Sequence, residues 1–141
     1  MPARPVKIRA HLGLGRDGER AAEALLKRKG LKVLERNWRA GRLELDLICR
    51  DGDALVFVEV KTRGRGSLAP GAAAVGREKR ERLARAAASY LSEHQAWDAP
   101  CRFDIVEVAE SRPGGELAAR HLENAFGLDD VPGAARFWQP F

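Results

Sequence analysis

A chain of 141 residues suits a single domain, large enough to bury a core without disulfide or metal staples. With 45% hydrophobic and 32% charged residues it reads as ordinary soluble globular material, and no apolar run approaches the roughly 20 residues of a transmembrane helix. The net charge of +5 is uneven: residues 1–50 hold 13 Lys and Arg against 6 Asp and Glu, and residues 101–141 hold 4 against 7, so the basic N-terminal third suits a polyanionic partner.

Residues 1–16 are basic, carry Pro2, Pro5, Gly13 and Gly15, and read as a loose arm whose opening stretch lacks a signal-peptide apolar core; a cytoplasmic protein is expected. Asp17 caps a helix running to about Lys29, with Ala21, Ala22, Leu25 and Leu26 as its apolar stripe and Gly30 as the residue that ends it. Three strands follow: Leu31–Trp38; Leu43–Cys49, with Leu43, Leu45 and Leu47 on one face and Glu44, Asp46 and Ile48 on the other; and the nearly all-apolar Ala54–Lys61. Asp51-Gly52 is the tight turn between the last two. Thr62–Gly76 reads as a long glycine-rich loop, Arg77 to about Glu93 as a second helix, Arg102–Val108 as a fourth strand and Arg120–Phe126 as a short final one. This order predicts an α/β domain over residues 17–126, a central mixed sheet flanked by helices, followed by a C-terminal tail over 127–141. Cys49 and Cys101 form no CxxC motif and read as reduced core thiols.

The third strand ends Val58-Glu59-Val60-Lys61. Residues two apart on a strand share a face, so Glu59 and Lys61 point the same way at the end of a buried strand. Either the strand end reaches solvent and the two are a surface ion pair, or they serve chemistry. Asp46 decides for chemistry. Pairing about a turn near residue 52 sets it nearly opposite residue 58 or 59, and two carboxylates so placed repel unless a cation lies between them. Hard oxygen ligands suit Mg²⁺ or Mn²⁺, and a lysine beside them completes a phosphodiester-hydrolysing constellation.

Asp46…Glu59-Val60-Lys61 is similar to the Asp…(Asp/Glu)-X-Lys signature of restriction-endonuclease-like, PD-(D/E)XK nucleases. A longer series runs in order: Gly18-Glu19, Arg36-Asn37, Glu44-Leu45-Asp46, Val56 to Arg63, Lys79, Tyr90-Leu91, Arg102-Phe103-Asp104, and His121-Leu122-Glu123-Asn124-Ala125-Phe126. This resembles the YraN family of small bacterial proteins, itself similar to archaeal Holliday-junction resolvases. The resemblance implies a restriction-endonuclease-like fold and a metal-dependent nuclease acting on DNA, with branched or damaged DNA as its substrate class. A non-catalytic module that binds DNA or RNA is the alternative, and by analogy with resolvases a homodimer is implied. Asp46, Glu59 and the Val60 carbonyl are then the Mg²⁺ (or Mn²⁺) ligands. Lys61 positions water and steadies charge on the phosphate, and Glu19, in the first helix, supports the metal. Arg63 and Arg65 are expected on phosphates, and Lys79 either reaches the site or lies along the apolar surface with its head in water. One position departs from the family pattern: Leu43 stands where Gly-Glu-Ile-Asp is usual.

Overall fold

A computed structural model describes residues 6–9, 14–65, 75–110 and 115–139, with side chains for 16–63, 75–110 and 115–139. The elements are β1 (Val6–Arg9), α1 (Leu14–Arg28), β2 (Lys32–Ala40), β3 (Leu43–Asp51), β4 (Ala54–Arg65), α2 (Arg77–Glu93), β5 (Cys101–Glu110) and β6 (Glu116–Phe126). They build one six-stranded sheet in the order β1-β6-β5-β4-β3-β2. Only β4 and β5 run parallel, and α2 supplies the crossover that a parallel pair requires. The expected mixed sheet flanked by helices is thus what the chain forms.

Each helix covers one face of the sheet. Ala21, Ala22, Leu25 and Leu26 of α1 pack with Leu47, Cys49, Val56, Val58, Val106, Val108, Leu117 and Ala119. Leu83, Ala84, Ala87, Tyr90 and Leu91 of α2 pack with Leu45, Ile48, Leu55, Phe57, Phe103 and Ile105. The central strand β4 therefore feeds both cores, which is why it reads as a continuous apolar run. The end of α1 follows its sequence: Gly30 takes φ +93, its N–H bonds to the Lys27 carbonyl at 3.0 Å, and the Leu31 N–H reaches back to Leu26 at 3.0 Å. That is the six-to-one and five-to-two pattern of a glycine-terminated helix, with Leu31 folded onto the α1 core.

Four sequence expectations change. Val6–Arg9, read as part of a loose arm, pairs antiparallel with β6, and α1 starts at Leu14 rather than at an Asp17 cap. The third strand continues past Lys61 to Arg65 because β5 runs alongside it to Glu110, so the first residues assigned to the long loop are strand; residues 66–74 of that segment lie outside the described residues. The last strand begins at Glu116, since β1 and β5 pair with its two sides. Finally, strict alternation fails in β3. Leu45 packs on the α2 side and Leu47 on the α1 side. The neighbouring strand flips at the same place: Arg36, beside Leu47, bonds Glu23 of α1, while Trp38, beside Leu45, meets Tyr90 of α2. Between those rungs stand Asn37, at φ +51, and Asp46. Asparagine tolerates this left-handed conformation better than most residues, and the flip it produces turns both strands over.

After β6 the chain makes two short 3-10 turns, Leu128–Asp130 and Ala134–Arg136. Val131 and Ala134 are buried in the α2-side core, and Trp138 lies edge-on to Trp97, so this tail is packed structure.

Candidate active site

The hairpin of β3 and β4 turns at Gly52-Asp53, with Gly52 at φ +63, and its rungs run from Asp51–Ala54 to Leu47–Val58. The register agrees with the placement inferred from the turn, since the next rung would set Asp46 beside Glu59. The ladder stops there because β3 flips. Asp46 instead accepts the Val60 backbone N–H on Oδ2 at 2.8 Å, so its carboxylate stands where a strand carbonyl would otherwise be. In an antiparallel pair the N–H and C=O of one residue point to the same neighbour, so the Val60 carbonyl also faces the Asp46 side.

Burial pushes the Asp46 carboxyl up to about 7, and the charges of Glu59, Glu19 and Glu44 add to the rise, against the stabilising Val60 hydrogen bond. Burial also raises Glu59, which keeps only 14% of its side-chain surface exposed; Lys79 and Lys61 oppose that rise, and Glu44 adds to it. Two half-buried carboxylates are thus held against their own repulsion, an arrangement found where charge serves function.

Of the other residues singled out from sequence, Glu19 lies on α1 near enough for its charge to act on Asp46. Its neighbour Gly18 lets the helix approach: a Cβ there would sit 2.1 Å from the Thr62 Cγ2 on β4. Lys61 shares the α2-side face of Glu59 and acts on it electrostatically. Lys79, from α2, forms an ion pair with Glu59 at 3.3 Å, so of the two readings it reaches the site. Arg63 turns to Glu107 at 3.7 Å. The Arg65 side chain lies outside the described residues. Leu43 closes the β2–β3 hairpin opposite Ala40 and packs on the α2-side core. Glu44, 42% exposed, pairs with Arg39 at 3.7 Å.

The donor set fits a hard divalent cation. Asp46 and Glu59 supply carboxylate oxygens, and the Val60 carbonyl is turned to the same side. Among the described residues no three His, Cys, Asp or Glu side chains gather as a closed metal cage. Mg²⁺ does not ask for one, because it retains several waters and commonly takes one or two carboxylates.

Two buried acids escaped the sequence reading. Glu107 is fully buried on β5, and the signal was available: a lone acid in the apolar run Ile105-Val106-Glu107-Val108, the same clue that marks Glu59. Asp104, also buried, accepts from Arg102 Nε at 3.0 Å and the Asn124 backbone N–H at 2.9 Å, and lies 2.7 Å from His121 Nε2. Lys29 approaches His121 Nδ1 at 2.7 Å. An ammonium only donates, so Nδ1 accepts and the Nε2–H donates to Asp104. This chain of contacts pins β5 to β6 and to the end of α1.

The model of the "Uncharacterised protein family UPF0102" matches residues 18–108. A UPF0102 protein of Nitratidesulfovibrio vulgaris (strain DP4) is 44% identical over 135 residues, which span 95% of this chain and 99% of the relative. One from Oleidesulfovibrio alaskensis is 52% identical over 116 residues, 82% of this chain and 57% of the relative. Among solved structures, that of Pyrococcus furiosus SfsA in complex with Ca²⁺ is similar at a TM-score of 0.44 and 14% identity, over 86% of this chain and 78% of that one, a loose likeness. The matched segment opens at Gly18, runs through Asp46 and the Glu59–Lys61 strand, and closes at Val108, so the chain belongs to UPF0102, the family whose YraN-type motifs its sequence carries.

Proposed function

We propose that this protein is a metal-dependent nuclease of the restriction-endonuclease-like, PD-(D/E)XK type that hydrolyses phosphodiester bonds in DNA, with branched or damaged DNA as its substrate class. The observation that carries this reading is the 2.8 Å hydrogen bond from the Val60 N–H to Asp46, which joins the lone acid of β3 to the Glu59-Val60-Lys61 segment of β4. Asp46, Glu59 and the Val60 carbonyl would hold Mg²⁺ or Mn²⁺, which when bound polarises the phosphate and lowers the pKa of water. Glu19 supports that site from α1. Lys61, beside Glu59, orients the attacking water and stabilises negative charge developing on the phosphoryl oxygens. The half-buried carboxylates limit competing solvent around these groups.

The test is incubation of pure protein with four-way-junction, single-stranded and duplex DNA, in Mg²⁺, in Mn²⁺ and in chelator. Products that require metal and vanish in Lys61→Ala support the nuclease. Shifted but uncut DNA supports a binding module instead, a reading favoured by one observation, the Lys79 ammonium already paired with Glu59.

A further inference from the structure

One rung beyond Glu59 on the same face, the sheet carries a second charged constellation. Lys61 on β4 lies beside Glu107 on β5, and Glu107 lies beside Arg120 on β6, giving cation, anion and cation across three strands. Their common face follows from the alternation around them: Val106, Val108, Leu117 and Ala119 belong to the α1-side core, which leaves Glu107 and Arg120 on the α2 side with Ile105. The Glu107 carboxylate is fully buried. Its Oε1 accepts from Arg120 Nη2 at 2.6 Å. Its Oε2 has no hydrogen-bond partner and faces Arg63 Nε at 3.7 Å, an ion pair too long for a hydrogen bond. Both arginines keep 35% of their side-chain surface exposed.

One arginine would neutralise this carboxylate. Two leave a net positive charge, fixed from the buried side and open on the outer side. Guanidiniums gathered on one anion repel each other, and a second anion bound across them relieves that repulsion. Each guanidinium carries five N–H donors in a planar fork whose geometry matches phosphate oxygens. Glu107 thereby sets the position of two arginines next to Lys61. We infer that Arg63 and Arg120, positioned by Glu107, form a clamp for a backbone phosphodiester of the bound nucleic-acid strand, adjacent to the phosphate at Lys61. The inference rests on the nuclease reading and adds a residue, Arg120, and a positioning role, that of Glu107.

The experiment measures binding of a fluorescently labelled DNA duplex by anisotropy, in chelator, across a salt series, so that it does not depend on cleavage. The paired substitution Glu107→Gln/Arg120→Gln leaves net charge unchanged and leaves no buried carboxylate without its counter-ion. Its affinity is expected to fall about tenfold, and the slope of log K against log salt to shrink by about 1, the signature of one lost phosphate contact. Arg136→Gln, in the turn preceding Trp138 near the Phe103 end of β5, lowers net charge by one and is expected to leave the slope unchanged. Melting curves accompany each variant. If the pair fails to fold, Arg63→Gln carries the test, with the same loss of slope expected. A folded pair, or a folded Arg63→Gln standing in for it, that keeps the wild-type affinity and slope overturns the clamp and leaves the nuclease reading intact. Wild-type protein that neither binds the duplex nor cuts DNA in metal overturns both.

Discussion

The Val60 backbone N–H donates to Asp46 at 2.8 Å, at the point where the β3–β4 ladder ends and β3 turns over. A side chain at that flip lies in the plane of the sheet. Asp46 is consequently within electrostatic reach of Glu19 from the α1 side and of Glu59 on the α2 side. The elements around the candidate site all meet at this point, and its energetics should dominate the response to pH, metal and mutation.

Without metal, Asp46 should make the protein less stable as pH rises. Its folded pKa, about 7, lies above an unfolded value of roughly 3.9. The folded state therefore binds more protons between these values, and the contribution is fully present below the lower and lost on passing through the higher. In chelator, the melting temperature should fall by at least about 3 °C between pH 5 and pH 8. Asp46→Asn should flatten this slope. Equal slopes in the two proteins would show that Asp46 is not strained.

The Asp104 cluster should behave in the opposite sense. Burial raises its carboxyl, but hydrogen bonds from His121, Arg102 and the Asn124 N–H outweigh that and hold it below the ordinary value. Its stabilisation is present above the unfolded pKa and is lost as pH falls through the folded one. Asp104→Ala should cost about 3–5 kcal/mol at neutral pH, the range for breaking a buried charge network, and the penalty should shrink in acid. Denaturant titrations at pH 7 and pH 3.5 measure both; a penalty independent of pH would assign the loss to packing.

Gly18→Ala tests how α1 is seated. The new Cβ would meet the Thr62 methyl at 2.1 Å, and Thr62, branched at Cβ and fixed on β4, cannot swing away cheaply. A loss of about 1–3 kcal/mol is expected, as for overpacking elsewhere, with weaker metal binding because Glu19 moves with the helix. A variant as stable as wild type would mean that α1 has slack at this approach.

Lys79 competes with a cation for Glu59. Because its side chain is 43% exposed, the pair is screened and its effect modest. Lys79→Met should tighten Mn²⁺ binding by up to about fivefold in calorimetric titration, equivalent to the 1 kcal/mol upper end for exposed pairs. Weaker binding would show that Lys79 holds Glu59 in place instead.

Much of this arrangement is legible in the residues because it rests on short-range rules. The Gly52 turn fixes the hairpin register and so brings Asp46 toward Glu59, and the apolar run of β4 marks it as central. What the sequence hides depends on tertiary pairing. The flip at Asp46 is shared with Asn37 on another strand, and period-two alternation has no way to show it. Val6–Arg9 becomes a strand only because β6 offers an edge, and β4 continues through Gly64 only because β5 accompanies it. Lys79 is ambiguous on its helix until the helix is docked, and Arg120 gains meaning only from the rung it shares with Glu107.

The most direct test is the rate of DNA cleavage as a function of Mn²⁺ concentration for wild type, Asp46→Asn and Lys61→Ala, each shown by melting to be folded. The account predicts saturable metal-dependent cleavage by wild type. It predicts loss of both metal response and cleavage in Asp46→Asn, and retained metal binding with cleavage reduced at least about a hundredfold in Lys61→Ala. Cleavage by wild type that persists in chelator, or equal rates in all three proteins, would contradict it.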